Sequence, residues 1–376
     1  MSSDDWDDDY GDYTDDLLFH DESALDTSLG SDHWELSVGS GTFDPERNPF
    51  ALFSKEFLLT YKPDKLLGYD DFAVVYRAIR LKDLMPCAIK VPRKMKPASD
   101  LLRKEINIWC QLDHENVLNI KSLPVSTTIA IEMPYIDGLT VGEEQVVSLA
   151  DLRKPIQEAF AVTIIRGVAQ GIQYVHRQGV RHYHLKPSSI LLTPTIVPKV
   201  SGFARGQDEF GASHGETGHS APELRDEETY GTPGMKTDVF LLSSLFYELL
   251  TGHPPFSSAL YTLFPDIKKD VLVPVSRIKP ELEIFDHFFD KTLSISKEDR
   301  YDSVKEFIVA LNGVYGWKEP PHGPVRIDDN IRAHVSQLAK MESPQHIVLP
   351  PLHEDLMGEY GDLTDLENNV PDGLLE

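Results

Sequence analysis

The chain predicts an α+β fold, with a small β-rich part, a larger helical part and disordered acidic tails. Short β-type runs cluster between residues 57 and 132. Stretches of helical length dominate from about residue 159. Acidic segments without Lys or Arg occupy both ends.

The net charge of −25 belongs to those ends. Residues 1–46 hold 15 Asp or Glu and residues 344–376 hold 8, with no Lys or Arg in either segment. What remains carries 36 basic and 38 acidic residues. Dense like charge resists compaction, so residues 1–50 are expected to be disordered. Within them Trp6, Tyr10, Tyr13, Leu17, Leu18 and Phe19 alternate with acids. That pattern fits either a solubilising tail or a segment that folds onto a partner. The ordered domain is expected over residues 56–317, and residues 318–376 as a largely disordered acidic tail. That tail has one weak helix candidate, Asp328 to Met341, and an extended Leu349-Pro-Pro-Leu.

Without clustered cations, nucleic acid is not an expected partner. There is no apolar run of about eighteen residues and no readable secretory signal, so no membrane partner is expected. Cys87 and Cys110 form no disulfide framework and suit a reducing compartment, the cytoplasm first and the nucleus second.

Along the domain, β-type runs come at Phe57–Tyr61, Phe72–Tyr76 and Cys87–Val91. A helix is expected over Ser99–Leu112, with Ser99 as N-cap and Leu102, Ile106 and Trp109 recurring on one face. A strand at Thr128–Glu132 leads to a linker at Met133–Gly138. Helices follow, notably Ala159–Gln178 and Thr237–Thr251.

Several motifs lie along this frame in a fixed order. Gly68 opens Gly68-Tyr69-Asp70-Asp71-Phe72-Ala73-Val74-Val75. Lys90 ends Ala88-Ile89-Lys90, and Glu105 lies fifteen residues on. Val180 to Leu192 reads Val-Arg-His-Tyr-His-Leu-Lys-Pro-Ser-Ser-Ile-Leu-Leu. Gly202-Phe203-Ala204, Ala221-Pro222-Glu223, Asp238-Val239-Phe240 and Arg300 follow. In this order they resemble the protein kinase superfamily over roughly residues 60–315, and Lys186 fits its serine/threonine type. The resemblance implies a two-lobed fold with a β-rich N-lobe and a helical C-lobe. It implies that Lys90 holds nucleotide phosphates and that Glu105 positions it. It also implies a hydrophobic spine of Ile120, Trp109, Phe203 and His182, and a buried structural pair of Glu223 and Arg300.

The departures from the pattern concern metal and phosphate. His184 stands at the position of the catalytic Asp, Ser189 at that of the metal-binding Asn, and Gly202 at that of the metal-binding Asp. Magnesium takes oxygen ligands, and these three residues supply few. Only Gly68 remains of the glycine loop, and Asp70 brings a like charge towards phosphate. Tyr183 replaces the arginine that grips an activation-loop phosphate, which argues against switching by phosphorylation at Ser213, Thr217 or Ser220. The resemblance is therefore to a pseudokinase. It implies no enzyme, no catalytic residue among the degenerate positions His184, Ser189 and Gly202, and no metal site.

Adenine recognition needs one hinge carbonyl and one hinge N–H, which Pro134 and Ile136 retain behind Met133. Val75, Ala88 and Leu191 match the residues that sandwich the ring. The cofactor expectation is therefore none required, with ATP binding without magnesium left open at Gly68, Val75, Ala88, Lys90, Glu105, Pro134, Ile136 and Leu191. Near the C-terminus, Asp365, Glu367, Val370, Pro371 and Asp372 resemble the tail by which Tribbles pseudokinases recruit a ubiquitin ligase. The first functional expectation is an inactive regulator or scaffold that binds protein partners, an active kinase among them. The alternatives are an adaptor for a ubiquitin ligase, and a residual serine/threonine kinase or ATP-binding switch.

Overall fold

The computed structural model describes residues 52–70, 72–93, 96–125, 128–141, 144–203 and 218–316. All of these lie within one compact unit, Pro45–Glu376. The acidic segment 1–50, the tail 318–376 with Asp365, Glu367, Val370, Pro371 and Asp372, and also Asp71, Ala204, Ser213 and Thr217 lie outside the described residues.

The N-lobe is a five-stranded antiparallel sheet with the order β1-β2-β3-β5-β4. Its strands are β1 Tyr61–Tyr69, β2 Ala73–Arg80, β3 Met85–Pro92, β4 Lys121–Val125 and β5 Thr128–Pro134. One face is closed at its edge by a short helix, α1, Lys55–Leu58, whose N-cap Ser54 accepts a hydrogen bond from the Phe57 N–H at 3.2 Å. Phe57 stacks between Phe53 at 4.7 Å and Tyr61 at 4.9 Å. On the same sheet Glu132 is buried, accepting from the Tyr61 hydroxyl at 2.5 Å and from Arg80 at 2.6 Å. The helix α2, Lys96–Trp109, buries Ala98, Leu102, Glu105, Ile106 and Trp109 at helical spacing.

Two short antiparallel pairs follow. They are β6 Leu139–Val141 with β7 Glu144–Val146, and β8 Ile190–Leu192 with β9 Pro198–Val200. The C-lobe is built on α3 Glu158–Arg177 and α6 Met235–Thr251. Both helices are buried nearly all round, which is why their apolar residues exceed a single stripe. The short helices α4 Pro222–Arg225 and α5 Glu227–Tyr230 precede α6, and α7 Ser258–Leu263, α8 Val275–Ile278, α9 Asp286–Thr292 and α10 Val304–Tyr315 complete the lobe. Phe246 packs against Phe285, Phe288 and Phe289, and Phe288 against Phe307.

Local readings are corrected at three places. The run Phe57–Tyr61 is not one strand, because the Ser54 cap starts a helix there and the strand begins only at Tyr61. Ser99 is not an N-cap. The helix starts at Lys96, and a proline at its second position suits a first turn whose N–H groups have no intrahelical partner. Met133 and Pro134 are not yet linker, since they pair with Ala88 and Cys87 as the end of β5. The edge strand β4 has no apolar alternation to announce it.

Candidate functional site

Strand pairing assembles the N-lobe side of the site. Val75 lies opposite Lys90, and Lys90 opposite Ile131; two residues along, Arg77, Ala88 and Met133 are aligned. Residues two apart on a strand share a face, so Val75, Ala88, Lys90 and Met133 are presented on one side of the sheet. Lys90 Nζ lies 2.6 and 2.5 Å from the two Glu105 carboxylate oxygens, and both side chains are only 7% exposed. The buried ammonium–carboxylate pair keeps α2 against β3 and leaves the ammonium positioned at the sheet face.

The turn between β1 and β2 stands in the glycine-loop position. Gly68, opposite Val75, has nothing among the described residues within 4 Å of where a Cβ would stand. Asp70 does not extend away from the turn. Its Oδ1 accepts from the N–H groups of Phe72 at 2.8 Å and Ala73 at 2.9 Å. Sequence reading saw only its charge. The signal for its structural role was an Asp at the first position of a tight chain reversal. At the other edge Pro134 is exposed, Ile136 is half-buried against the core, and Arg77 lies over the Tyr135 ring at 5.2 Å. Leu191, on β8, is half-buried against the same core.

The loop carrying His184 is organised by Asp238 on α6. Its carboxylate accepts from the His182 N–H at 2.9 Å and the Tyr183 N–H at 2.8 Å, and it lies 2.7 Å from His176 Nε2. Burial alone would raise the Asp238 carboxyl, but the hydrogen bond and charge of His176, with the charge and N–H of His182, hold it below the ordinary range. Tyr183 sits at φ 60 and its hydroxyl donates to the Pro233 carbonyl at 3.1 Å. His182 is fully buried, with Nε2 3.0 Å from the Ser201 carbonyl and Nδ1 accepting from the His184 N–H at 3.2 Å. Burial pushes its imidazole below the usual histidine value. His176 was not anticipated as a partner of Asp238; the two lie 62 positions apart and no local pattern joins them.

The four residues read as a spine are all in the core or packed on it. Trp109 meets Phe203 edge-on at 5.6 Å, Phe203 meets His182 at 4.8 Å, and Ile120 packs on the core from its margin. Glu223 and Arg300 are 2.6 Å apart with no side-chain exposure. A second buried network was missed. His219 Nδ1 lies 2.8 Å from Ser244 Oγ and its Nε2 2.7 Å from Glu248, whose other oxygen accepts from Lys154 at 2.9 Å.

Magnesium needs carboxylate, amide or water oxygens. Gly202 offers no side chain and sits at φ 82. The Ser189 hydroxyl is engaged on both sides by Lys186, accepting from its N–H at 3.0 Å and donating to its carbonyl at 2.7 Å. Among the described residues no group of three or more His, Cys, Asp or Glu is placed to hold a metal ion. These residues do not fit a magnesium ion held by protein side chains.

A β-rich N-lobe followed by a helical C-lobe, with a buried lysine–glutamate pair between β3 and α2, defines the class as kinase-like. Residues 61–308 match the protein kinase domain family, and the chain belongs to that family. Serine/threonine-protein kinase PknB of Mycobacterium tuberculosis (strain ATCC 25177 / H37Ra) is 26% identical over 309 residues, covering 77% of this chain and 48% of that protein. Serine/threonine-protein kinase PLK4 of Drosophila virilis is 26% identical over 239 residues, covering 60% of this chain and 30% of its own length. The crystal structure of the M. tuberculosis PknI kinase domain shares the fold, with a TM-score of 0.51 and 22% identity over 69% of this chain and 96% of that one. The chain spans about half the length, or less, of these curated relatives.

The likeness corrects one expectation. Substitutions at His184, Ser189 and Gly202 led to the reading that the chain is not an enzyme, yet the relatives it matches are named serine/threonine-protein kinases. For location, no helix among the described residues is long and apolar enough to cross a membrane.

Proposed function

We propose that the chain is an ATP-binding domain of the serine/threonine-kinase type with residual phosphotransfer as its chemistry. The observation that carries this reading is the buried Lys90–Glu105 pair, with Nζ 2.5 Å from a carboxylate oxygen. In this reading Lys90 neutralises nucleotide phosphate, and the Pro134 carbonyl and Ile136 N–H take the adenine edge. Val75, Ala88 and Leu191 enclose the ring. His184 is the group available to accept the proton of a serine or threonine hydroxyl. Lys90 is then the one protein cation assigned to the developing charge, and slow turnover is expected.

The test uses the full chain and a Lys90→Ala variant prepared identically. ATP binding by calorimetry and transfer of labelled phosphate to a serine/threonine peptide should both be present in the parent and lost in the variant. No ATP binding at millimolar concentration, or label transfer equal in the two proteins, would sink the reading.

A further inference from the structure

The turn between β1 and β2 is held by a carboxylate from within the chain. Asp70 Oδ1 accepts from two successive backbone N–H groups, those of Phe72 at 2.8 Å and Ala73 at 2.9 Å, and the Asp70 N–H donates to the Ala73 carbonyl at 2.9 Å. The Arg93 N–H donates to the Phe72 carbonyl at 2.8 Å, tying the residue after β3 to the same turn, and its guanidinium lies over the Tyr69 ring at 5.4 Å. Beside Gly68, near the end of β1, no described residue comes within 4 Å of where a Cβ would stand.

Successive N–H groups pointing to one spot make an anion cradle, the arrangement by which backbone loops hold phosphate. Here the cradle is filled by the chain's own carboxylate. A phosphate arriving at the same N–H groups has to displace Asp70 and meets a like charge while doing so. An uncharged nucleoside, held by the hinge and the apolar walls, meets neither obstacle.

We propose that Asp70 is an internal anion occupying the amides of this turn, and that it sets the cleft's discrimination between nucleotide and nucleoside. The inference rests on the nucleotide-binding reading given above and names the residue that limits it. Asp70 is a specificity-determining residue; it acts by competing for the turn and takes no part in phosphoryl transfer.

The experiment measures dissociation constants for ATP and for adenosine, both with EDTA, on the full chain and on its Asp70→Gly and Asp70→Asn variants. Hydrogen bonds to a charged group are among the stronger ones, so Asp70→Gly should tighten ATP binding about tenfold while adenosine stays within about twofold. Asn keeps an oxygen for the amides and drops the charge, so Asp70→Asn should tighten ATP by a smaller factor of about three. ATP affinity unchanged in both variants, with adenosine still bound, would overturn the inference and leave the nucleotide reading standing. So would equal gains for ATP and adenosine, which would mean a loosened loop. A gain in the Asn variant as large as in the Gly variant would assign the effect to charge alone and overturn the occupied cradle. Failure of all three proteins to bind either ligand would overturn both the nucleotide reading and this inference. Should the Gly variant not fold, the Asn variant decides: ATP tightened about threefold with adenosine unmoved supports the role, and no change, or a gain of about tenfold, overturns it.

Discussion

Glu223 and Arg300, 77 positions apart, meet in a buried two-pronged ion pair at 2.6 and 3.0 Å in the C-lobe. Thr237 donates to the same carboxylate at 2.8 Å. The arginine also donates to the carbonyls of Ser294 and Ile295 and lies 4.7 Å over the Phe240 ring. The pair thus ties α4 to α6 and to the turn before α10.

Removing one member of such a pair strands the other as a buried charge. Arg300→Leu should cost about 3–5 kcal/mol of stability, read as a shift in the urea midpoint. The double variant Arg300→Leu with Glu223→Leu should recover part of that loss. A single variant as stable as the parent would show that the pair contributes nothing.

Lys90 and Glu105 separate structure from ligand binding by the same logic. Lys90→Met alone leaves Glu105 buried and unpaired and should lower stability by about 3–5 kcal/mol. Lys90→Met with Glu105→Leu should restore much of the stability and none of the ATP affinity. Thermal unfolding and calorimetry on the same preparations check both halves. Unchanged ATP affinity in the double variant would mean that the pair only fixes α2.

Stability should respond to pH through two sets of groups. His182 is held below the usual histidine value by burial, so the unfolded chain takes up a proton first as pH falls below about 6.5. Stability should therefore start to fall there, by up to about 1.4 kcal/mol per pH unit while only the unfolded chain is protonated. Asp238 and Glu223 are held below ordinary carboxylate values, each against the raising effect of burial, by their hydrogen-bond partners. Their contribution is present above the ordinary carboxylate pKa and is lost as pH falls through their lowered values. Denaturation midpoints from pH 8 to 3 should show the early decline, and His182→Phe should reduce it, the remainder belonging to His114, whose imidazole burial also lowers. A curve flat from pH 7 to 5 in the parent would contradict the assignment.

Gly202 allows a direct test of the missing ligand. Among the described residues nothing lies within 4 Å of where its Cβ would stand, although φ 82 is a region that L side chains enter at a cost. Gly202→Asp should therefore fold, with a stability loss of about 1–2 kcal/mol. Its added carboxylate should make ATP binding depend on magnesium. The ratio of ATP affinity with magnesium to that with EDTA should rise several-fold over the parent. An unchanged ratio would show that position 202 does not face bound phosphate.

Much was legible without coordinates because it depends on order and local pattern. Helical spacing at Leu102, Ile106 and Trp109 marked the buried face of α2, and the apolar run from Cys87 to Val91 marked the central strand β3. Lys90 and Glu105 were paired through the resemblance, whose motifs keep their order along the chain. Elements that depend on a neighbour were harder. β4 is an edge strand defined by its pairing with β5, and the start of α1 rests on a single Ser54 cap.

By itself the sequence determined the two-part α+β layout, the family, and which residue types stand at each position of the cleft. Composition, periodicity and motif order are one-dimensional, and they survive reading one residue after another. Only the tertiary structure decided where the charges go. It folded Asp70 back onto the amides of Phe72 and Ala73, engaged Ser189 with Lys186, and set Asp238 between His176 and the N–H groups of His182 and Tyr183. A carboxylate facing water and one capping a turn are the same letter in the sequence; geometry within about 3 Å separates them, because a hydrogen bond exists only at that range.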